Sequence, residues 1–263
     1  MLFTKPFLLA GLVALPLAAA DLAPTGTLRG VFLGSNPVQG RVDPQTGAVT
    51  GPVADLMKEL AGRLGVPYAV IPAPDARHVI DTLKAHAADI GFLAFDATRA
   101  AEVDFSQPYA VMYNTYLVRA DSPIRKASEA DAKGVRVGTV KGQTQEIYLS
   151  SHLKNAEVKV METMPPLGQL EKMMLAGEID AFGANRQRME EAASLYPKLR
   201  VLADNFSAAE QAIVVRSEDS SSLDAINRFL QDMLASGFVK DSLKRAKLIG
   251  VEAGSSRAEL IPH

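Results

Sequence analysis

The 263-residue chain contains no cysteine and no tryptophan. Without cysteine there is no disulfide scaffold, no iron–sulfur or cysteine-based zinc site and no thiol nucleophile. Anchoring through an acylated cysteine is excluded on the same ground. A surplus of either charge is also missing. Lys plus Arg total 28 against 30 Asp plus Glu, and the formal net charge of -2 argues against a broad nucleic-acid surface. The four histidines, His78, His86, His152 and His263, are too dispersed for an imidazole metal cluster, so neither metal nor other cofactor is expected. There is no phosphate loop, GxSxG, HExxH or dinucleotide GxGxxG, and no local signature joins Ser, His and Asp into a triad. What remains is ordinary globular material, 48% hydrophobic and 22% charged, long enough for one large or two modest domains.

The first residues, MLFTKPFLLAGLVALPLAAA, place Lys5 before an apolar run from Phe7 to Leu17. Ala18-Ala19-Ala20 then supplies small residues before Asp21, the layout of a secretory signal peptide over Met1–Ala20. The run is shorter than the roughly 20 residues of a membrane span. No later segment approaches that length, so a soluble protein of a Gram-negative periplasm is expected.

The body reads as strands and helices in alternation. Strands are expected over Leu28–Leu33, Tyr68–Ile71, Ile90–Phe95, Tyr116–Val118, Val135–Val140, Val158–Met161, Ile179–Phe182 and Ala212–Val215. Helices are expected over Val53–Leu64, Val79–Ala85, Thr144–Leu153, Leu167–Leu175, Gln187–Leu195 and Leu223–Leu234. Ser35–Gly51, with its prolines and glycines, reads as a loop. This order predicts parallel α/β architecture. A weak repeat links Leu83 through Asp89 into Ile90-Gly91-Phe92 with Leu175 through Asp180 into Ala181-Phe182-Gly183. It suggests two similar lobes. The methionines at 161, 164, 173 and 174 read as core packing.

Two features carry chemistry. Lys141-Gly142-Gln143-Thr144-Gln145 follows a strand and opens a helix, where backbone N–H groups favour an anion. The same residues also read as a plain helix cap. Arg99 follows a buried strand, where open α/β sheets bind ligands. It also reads as a surface arginine paired with Glu102 or Asp96.

The segment Arg99-Ala100-Ala101-Glu102-Val103-Asp104-Phe105-Ser106-Gln107-Pro108-Tyr109 resembles the signature of the family 3 extracellular solute-binding proteins, periplasmic receptors that feed ABC importers. Gly51-Pro52-Val53-Ala54-Asp55-Leu56, Leu60–Val66, Leu83–Asp89 and Val137–Tyr148 resemble further family segments in family order. The likeness runs from about Leu28 to about Leu243. It implies a two-lobed type II periplasmic-binding fold, with two parallel-core sheets joined by two hinge strands near Tyr116–Arg119 and Ser207–Ala212. The implied division is lobe 1 over 21–117 and 209–247, lobe 2 over 118–208, and a C-terminal tail over 248–263. By resemblance, Arg99 forks onto a ligand carboxylate, and the helix start at Gln143 and Thr144 donates N–H groups from the other lobe. The implied partners are a small carboxylate-bearing solute and an inner-membrane permease, with the receptor a monomer and no nucleic acid involved.

The departures from the family pattern are as informative. Its amino-acid receptors hold the α-ammonium with an Asp five residues beyond the position of Asp180, and here that residue is Asn185. An amide cannot neutralise a buried ammonium. The aromatic platform is replaced by Ser35-Asn36-Pro37-Val38, which makes Asn36 a candidate contact. The second stacking aromatic becomes Ala76 or Arg77. Asp96 stands either as a substitute negative charge or as the cap of the turn carrying Arg99. Arg77 and Arg186 would favour a second anionic group if either reaches the cleft. The alternative function on this fold is that of a cyclohexadienyl dehydratase. Its acid would fall at Arg188, which argues against catalysis. A sensory module is a third reading, with no attached sensor to support it.

Overall fold

The computed structural model describes residues 22–254. The leader expected at Met1–Ala20 lies outside the described residues, as do residues 255–263 of the expected tail. Among the described residues no helix is long and apolar enough to cross a membrane.

Each lobe winds strand–helix–strand–helix–strand around its first strand. In the first lobe β1 (Leu28–Leu33) lies between two parallel neighbours, β4 (Tyr68–Ala73) and β5 (Ile90–Ala94). A hairpin of β2 (Arg41–Val42) and β3 (Val49–Thr50) occupies the segment read as a loop. Helix α1 (Pro52–Leu64) starts with a proline in its first turn and ends at Gly65, whose φ of 69° is the left-handed cap conformation. It buries Val53, Leu56, Met57 and Leu60, spaced three and four residues apart along one face. Helix α2 (Ala76–Lys84) is capped by Asp75, which accepts from the backbone N–H of His78 at 2.9 Å.

The second lobe repeats the scheme with β7 (Arg136–Val140), α3 (Thr144–His152), β8 (Glu157–Met161), α4 (Leu167–Leu175), β9 (Ala181–Asn185) and α5 (Arg186–Leu195). Here β7 is the central strand, parallel to both β8 and β9. The internal repeat extends to hydrogen bonds. Asp89, before β5, accepts from Arg29 N at 2.8 Å and from its guanidinium at 3.1 and 2.6 Å. Asp180, before β9, does the same to Arg136 at 2.9, 3.0 and 3.0 Å. Each aspartate fastens the last core strand of its lobe to the first.

Two longer strands run antiparallel to these cores and join them. β6 (Asp104–Arg119) is 16 residues long, although only Tyr116–Val118 reads as strand from sequence. Pro108 and the polar Ser106 and Gln107 break the apolar pattern. The structure accommodates the proline at a register shift of its partner β11 (Ser207–Val215), between Gln211 and Ala212. Up to Asn114, β6 pairs with β11; from Asn114 onward it pairs with β9 and then with β10 (Leu199–Val201). The two parallel cores thereby become one hydrogen-bonded sheet of ten strands. Residues 248–254 are also part of it: β12 (Val251–Ala253) pairs with β6 at Met112–Ala110.

The larger core lies in the first lobe. Leu28, Phe32, Phe92, Tyr109 and Ile213 from the sheet pack on α1, on Ile226, Phe229 and Leu230 of α6 (Ser220–Ala235) and on Val239 and Leu243 of α7 (Phe238–Arg245). In the second lobe Val140, Phe182 and Leu199 pack with Leu170, Met174 and Met189, Leu117 of the joining strand β6 packs among them, and Met161, Met164 and Met173 lie against them.

Candidate functional site

Arg99 opens a single 3₁₀ turn, Arg99–Ala101, just beyond the C-terminal end of β5. Asp96 fixes that turn by accepting from Thr98 N at 2.9 Å, from Arg99 N at 3.4 Å and from the Thr98 hydroxyl. Arg99 is not the surface arginine of the simpler reading: it is 8% exposed and makes no pair with Glu102, which serves Arg77 and Lys84 instead. Its Nη1 donates to the Ala94 carbonyl at 2.9 Å in its own lobe. Its Nη2 donates to the Gly142 carbonyl at 2.6 Å, in the second lobe. Burial pushes its pKa down, with Asp96 acting in the opposite direction.

The opposite wall is the loop between β7 and α3. Gln143 is the residue before α3 and makes no side-chain cap, so it does not satisfy the first-turn N–H groups. Thr144 is the first helical residue. Gln145 is buried and donates to Asn114 Oδ1 at 2.6 Å, at the point where β6 changes partners. Asn114 also donates to the Ser207 hydroxyl at 2.9 Å.

Between the lobes, beside the loop that precedes α3, lies a cavity of about 10 Å³, room for one water; Arg99 is not among the described residues lining it. Ser35 and Asn36 line it from the first lobe, and Thr139, Gln143, Met164 and Asn185 are among those lining it from the second. Asn36 Oδ1 accepts from Val38 N at 3.1 Å, which holds this loop in place. Asn185 Oδ1 accepts from Arg188 N at 2.9 Å and caps α5. Gly183 lines the same wall; a Cβ there would come within 2.7 Å of Leu149 Cδ1, so any larger residue would push the Leu149 side chain of α3 away from β9. No carboxylate is among the described residues lining the cavity. The lobes are therefore closed, with Arg99 meeting Gly142 and Arg41 on β2 paired with Glu191 on α5.

The remaining candidates stand elsewhere. Asp96 lines a separate groove with Thr144 and Tyr148. Arg77 is 57% exposed at its side chain, paired with Asp81 and Glu102, and borders an outer depression shared with Lys141 and Gln143. Arg186 is turned away: it bonds Asn205, Glu190 and the carbonyls of Leu202, Ala203 and Asp204. Sequence reasoning missed the amides Gln39, Asn114 and Gln211, and named Gln145 only as part of the helix-opening segment. Gln39 accepts from Leu33 N at 3.0 Å and donates to Gln211 at 3.1 Å, tying the end of β1 to β11. Their only sequence signal is position beside a strand end or a joining strand.

Residues 31–245 match the model of the bacterial extracellular solute-binding proteins, family 3. The L-cystine-binding protein TcyJ of Escherichia coli (strain K12) is 25% identical over 195 residues, spanning 73% of this chain and 71% of that one. Among solved structures, holo ArgBP from T. maritima superposes with a TM-score of 0.68 at 25% identity, over 81% of this chain and 92% of that one. The ancestral amino acid-binding protein AncCDT-1, a precursor of cyclohexadienyl dehydratase, superposes with a TM-score of 0.70 at 24% identity, over 86% and 97%. The matched span takes in both lobes and both joining strands, and the chain belongs to the bacterial extracellular solute-binding proteins of family 3, as a receptor and not an enzyme.

Proposed function

We propose that the chain is the periplasmic receptor of an ABC importer and that it captures a small solute through a carboxylate with no ammonium group beside it. The observation that carries this reading is the charge of the cleft. Arg99 reaches across it to Gly142, amides line its cavity, and no carboxylate is among the described residues lining that cavity, Asp96 lying in a separate groove with Thr144.

In this mechanism the lobes part and the Arg99 fork exchanges the Gly142 carbonyl for the solute carboxylate. A planar guanidinium matches a carboxylate through two parallel bonds. The N-terminal turn of α3 then donates to the same carboxylate from the second lobe. Contacts to both lobes exist only in the closed form, and this difference shifts the population toward closure. Asn36 and Asn185 face the rest of the solute. A buried ammonium beside Asn185 would lack a counter-charge, at a cost of several kcal/mol.

The hinge in this reading lies where β6 and β11 pass between the lobes, which comprise residues 21–117 with 209–247 and residues 118–208. The exported protein is a monomer that starts at Asp21, checked by N-terminal sequencing and gel filtration of the periplasmic fraction. The solute named for the curated relative, L-cystine, carries two carboxylates and two ammonium groups and belongs in the test panel. The test is a thermal-shift screen against amino acids, L-cystine included, and the matching 2-hydroxy and 2-oxo acids. Stabilisation by acids without the ammonium is the expected result. Tight binding of a free α-amino acid, unaffected by Asp96→Asn, would overturn the reading.

A further inference from the structure

We propose that Arg188 receives a second anionic group, so that the solute is an organic diacid with one carboxylate on Arg99 and the other on Arg188. This rests on the carboxylate reading above and extends it to the far end of the solute.

Arg188 sits in the first turn of α5, held there by its backbone N–H to Asn185, a residue of the cavity wall. Its Nη2 lies 3.5 Å from the carbonyl of Pro165, which follows Met164, another residue of that wall. The guanidinium is thereby tethered next to Met164 and Asn185, behind the lining residues of the cavity. Its Nε is buried without a hydrogen-bond partner. Arg188 as a whole is half-buried, and a guanidinium partly withdrawn from water is normally paired with a carboxylate, because its desolvation is costly. The nearby acid, Glu191, is already engaged by Arg41 and by Gln187 at 2.9 Å.

The other cations around the cleft have partners. Arg77 has Asp81 and Glu102, Arg186 has Glu190 and Asn205, and Lys141 has Glu162. Arg99 and Arg188 make no ion pair among the described residues. Burial lowers the pKa of both, while Glu191 raises and Arg41 further lowers that of Arg188. Two under-compensated guanidinium groups, one from each lobe, each bond the carbonyl of a neighbour of a wall residue: Arg99 that of Gly142, beside Gln143, and Arg188 that of Pro165, beside Met164. No acid is among the described residues lining the cavity. A ligand with an anion at each end satisfies both, and a monoacid satisfies one.

The test is calorimetric titration with acids matched in chain length: succinate against butanoate, glutarate against pentanoate, adipate against hexanoate. Wild type should bind at least one diacid at least tenfold more tightly than its monoacid partner. Arg188→Gln should shrink that ratio below threefold while leaving the monoacid affinity within threefold of wild type, which also reports that the cleft is intact. Arg188→Lys, which keeps the charge but not the fork, should fall between. Arg99→Gln should abolish binding of both acids. A wild type that fails to distinguish diacid from monoacid, or an Arg188→Gln variant that keeps the full ratio, overturns this inference and leaves the carboxylate reading standing. Absence of binding by every acid, or binding insensitive to Arg99→Gln, overturns the carboxylate reading and this inference with it.

Discussion

In the proposed function Arg99 is the residue on which recognition turns, and its burial decides how much it would contribute. An exposed arginine would lose most of its pairing energy to solvent screening. At 8% exposure, with only carbonyl partners, its fork on a carboxylate is a desolvated charge pair. Arg99→Ala is expected to weaken solute binding at least 100-fold, a loss of about 3–5 kcal/mol, with the fold retained by circular dichroism. Arg99→Lys is expected to bind poorly as well, because an ammonium cannot reproduce two parallel bonds. Calorimetry on both variants checks this; Arg99→Ala binding within threefold of wild type would remove the carboxylate from Arg99. Arg99, Gln143 and Asn185 could be picked out in sequence because each sits at a strand end or helix start in a recognisable segment. Arg188 was read only as the wrong residue for an acid catalyst. Its lack of a partner depends on Arg41, which is distant in sequence and takes up Glu191, and no local pattern announces such competition.

Among the elements, the regular ones were legible. β1 and α4 have the expected ends, because continuous apolar runs and helical spacing mark them directly. The long reach of β6, the three-residue β10 and β12, and α7 were not. β6 carries a proline, and the short strands exist only because a neighbour is already in place. β12 illustrates the point. Ile249 N donates to Gln187 Oε1 at 2.6 Å, and Gly250 O accepts from Tyr113 N at 2.9 Å. Gly250 has φ of 68°, and the Arg186 stem occupies the space a Cβ would need. The segment after α7 thus ties itself to α5. Gln187→Ala leaves a backbone N–H without its partner and frees Glu191 from one donor, a cost of about 1–3 kcal/mol. Differential scanning calorimetry should show a melting temperature lower by several degrees.

The Asp180 clamp sets a pH dependence. Burial works to raise the pKa of Asp180, but the Arg136 guanidinium and N–H outweigh it and hold the carboxyl below its usual range. A depressed folded-state pKa means that the stabilisation is present above the unfolded value, about 3.9. It is lost as pH falls through the folded-state value, because the unfolded chain takes up the proton first. Urea unfolding midpoints should therefore decline as pH drops below about 4, and Asp180→Asn should show a shallower decline with a lower midpoint at neutral pH.

At the scale of the whole molecule, two α/β lobes share one sheet through β6 and β11, and the seam between them is the proposed solute cleft. Alternation of strand and helix made this architecture readable, and the repeated Asp89 and Asp180 made the duplication readable. The closed seam, with space for a single water, was not, because it depends on which amides meet across it. Closure without solute leaves Arg99 on a carbonyl; closure on a carboxylate gives it a counter-charge. X-ray scattering should accordingly show compaction on saturation with a bound acid, and none for Arg99→Ala. The most direct test of the central claim, a cleft built for a carboxylate without an ammonium, is a paired calorimetric titration of wild type and Asn185→Asp with a 2-oxo acid and the 2-amino acid of identical skeleton, taken from the acids that bind wild type. The predicted result is that wild type binds the oxo acid and rejects the amino acid, while Asn185→Asp reverses the order. Equal or tighter binding of the amino acid by wild type, with no gain in Asn185→Asp, would contradict it.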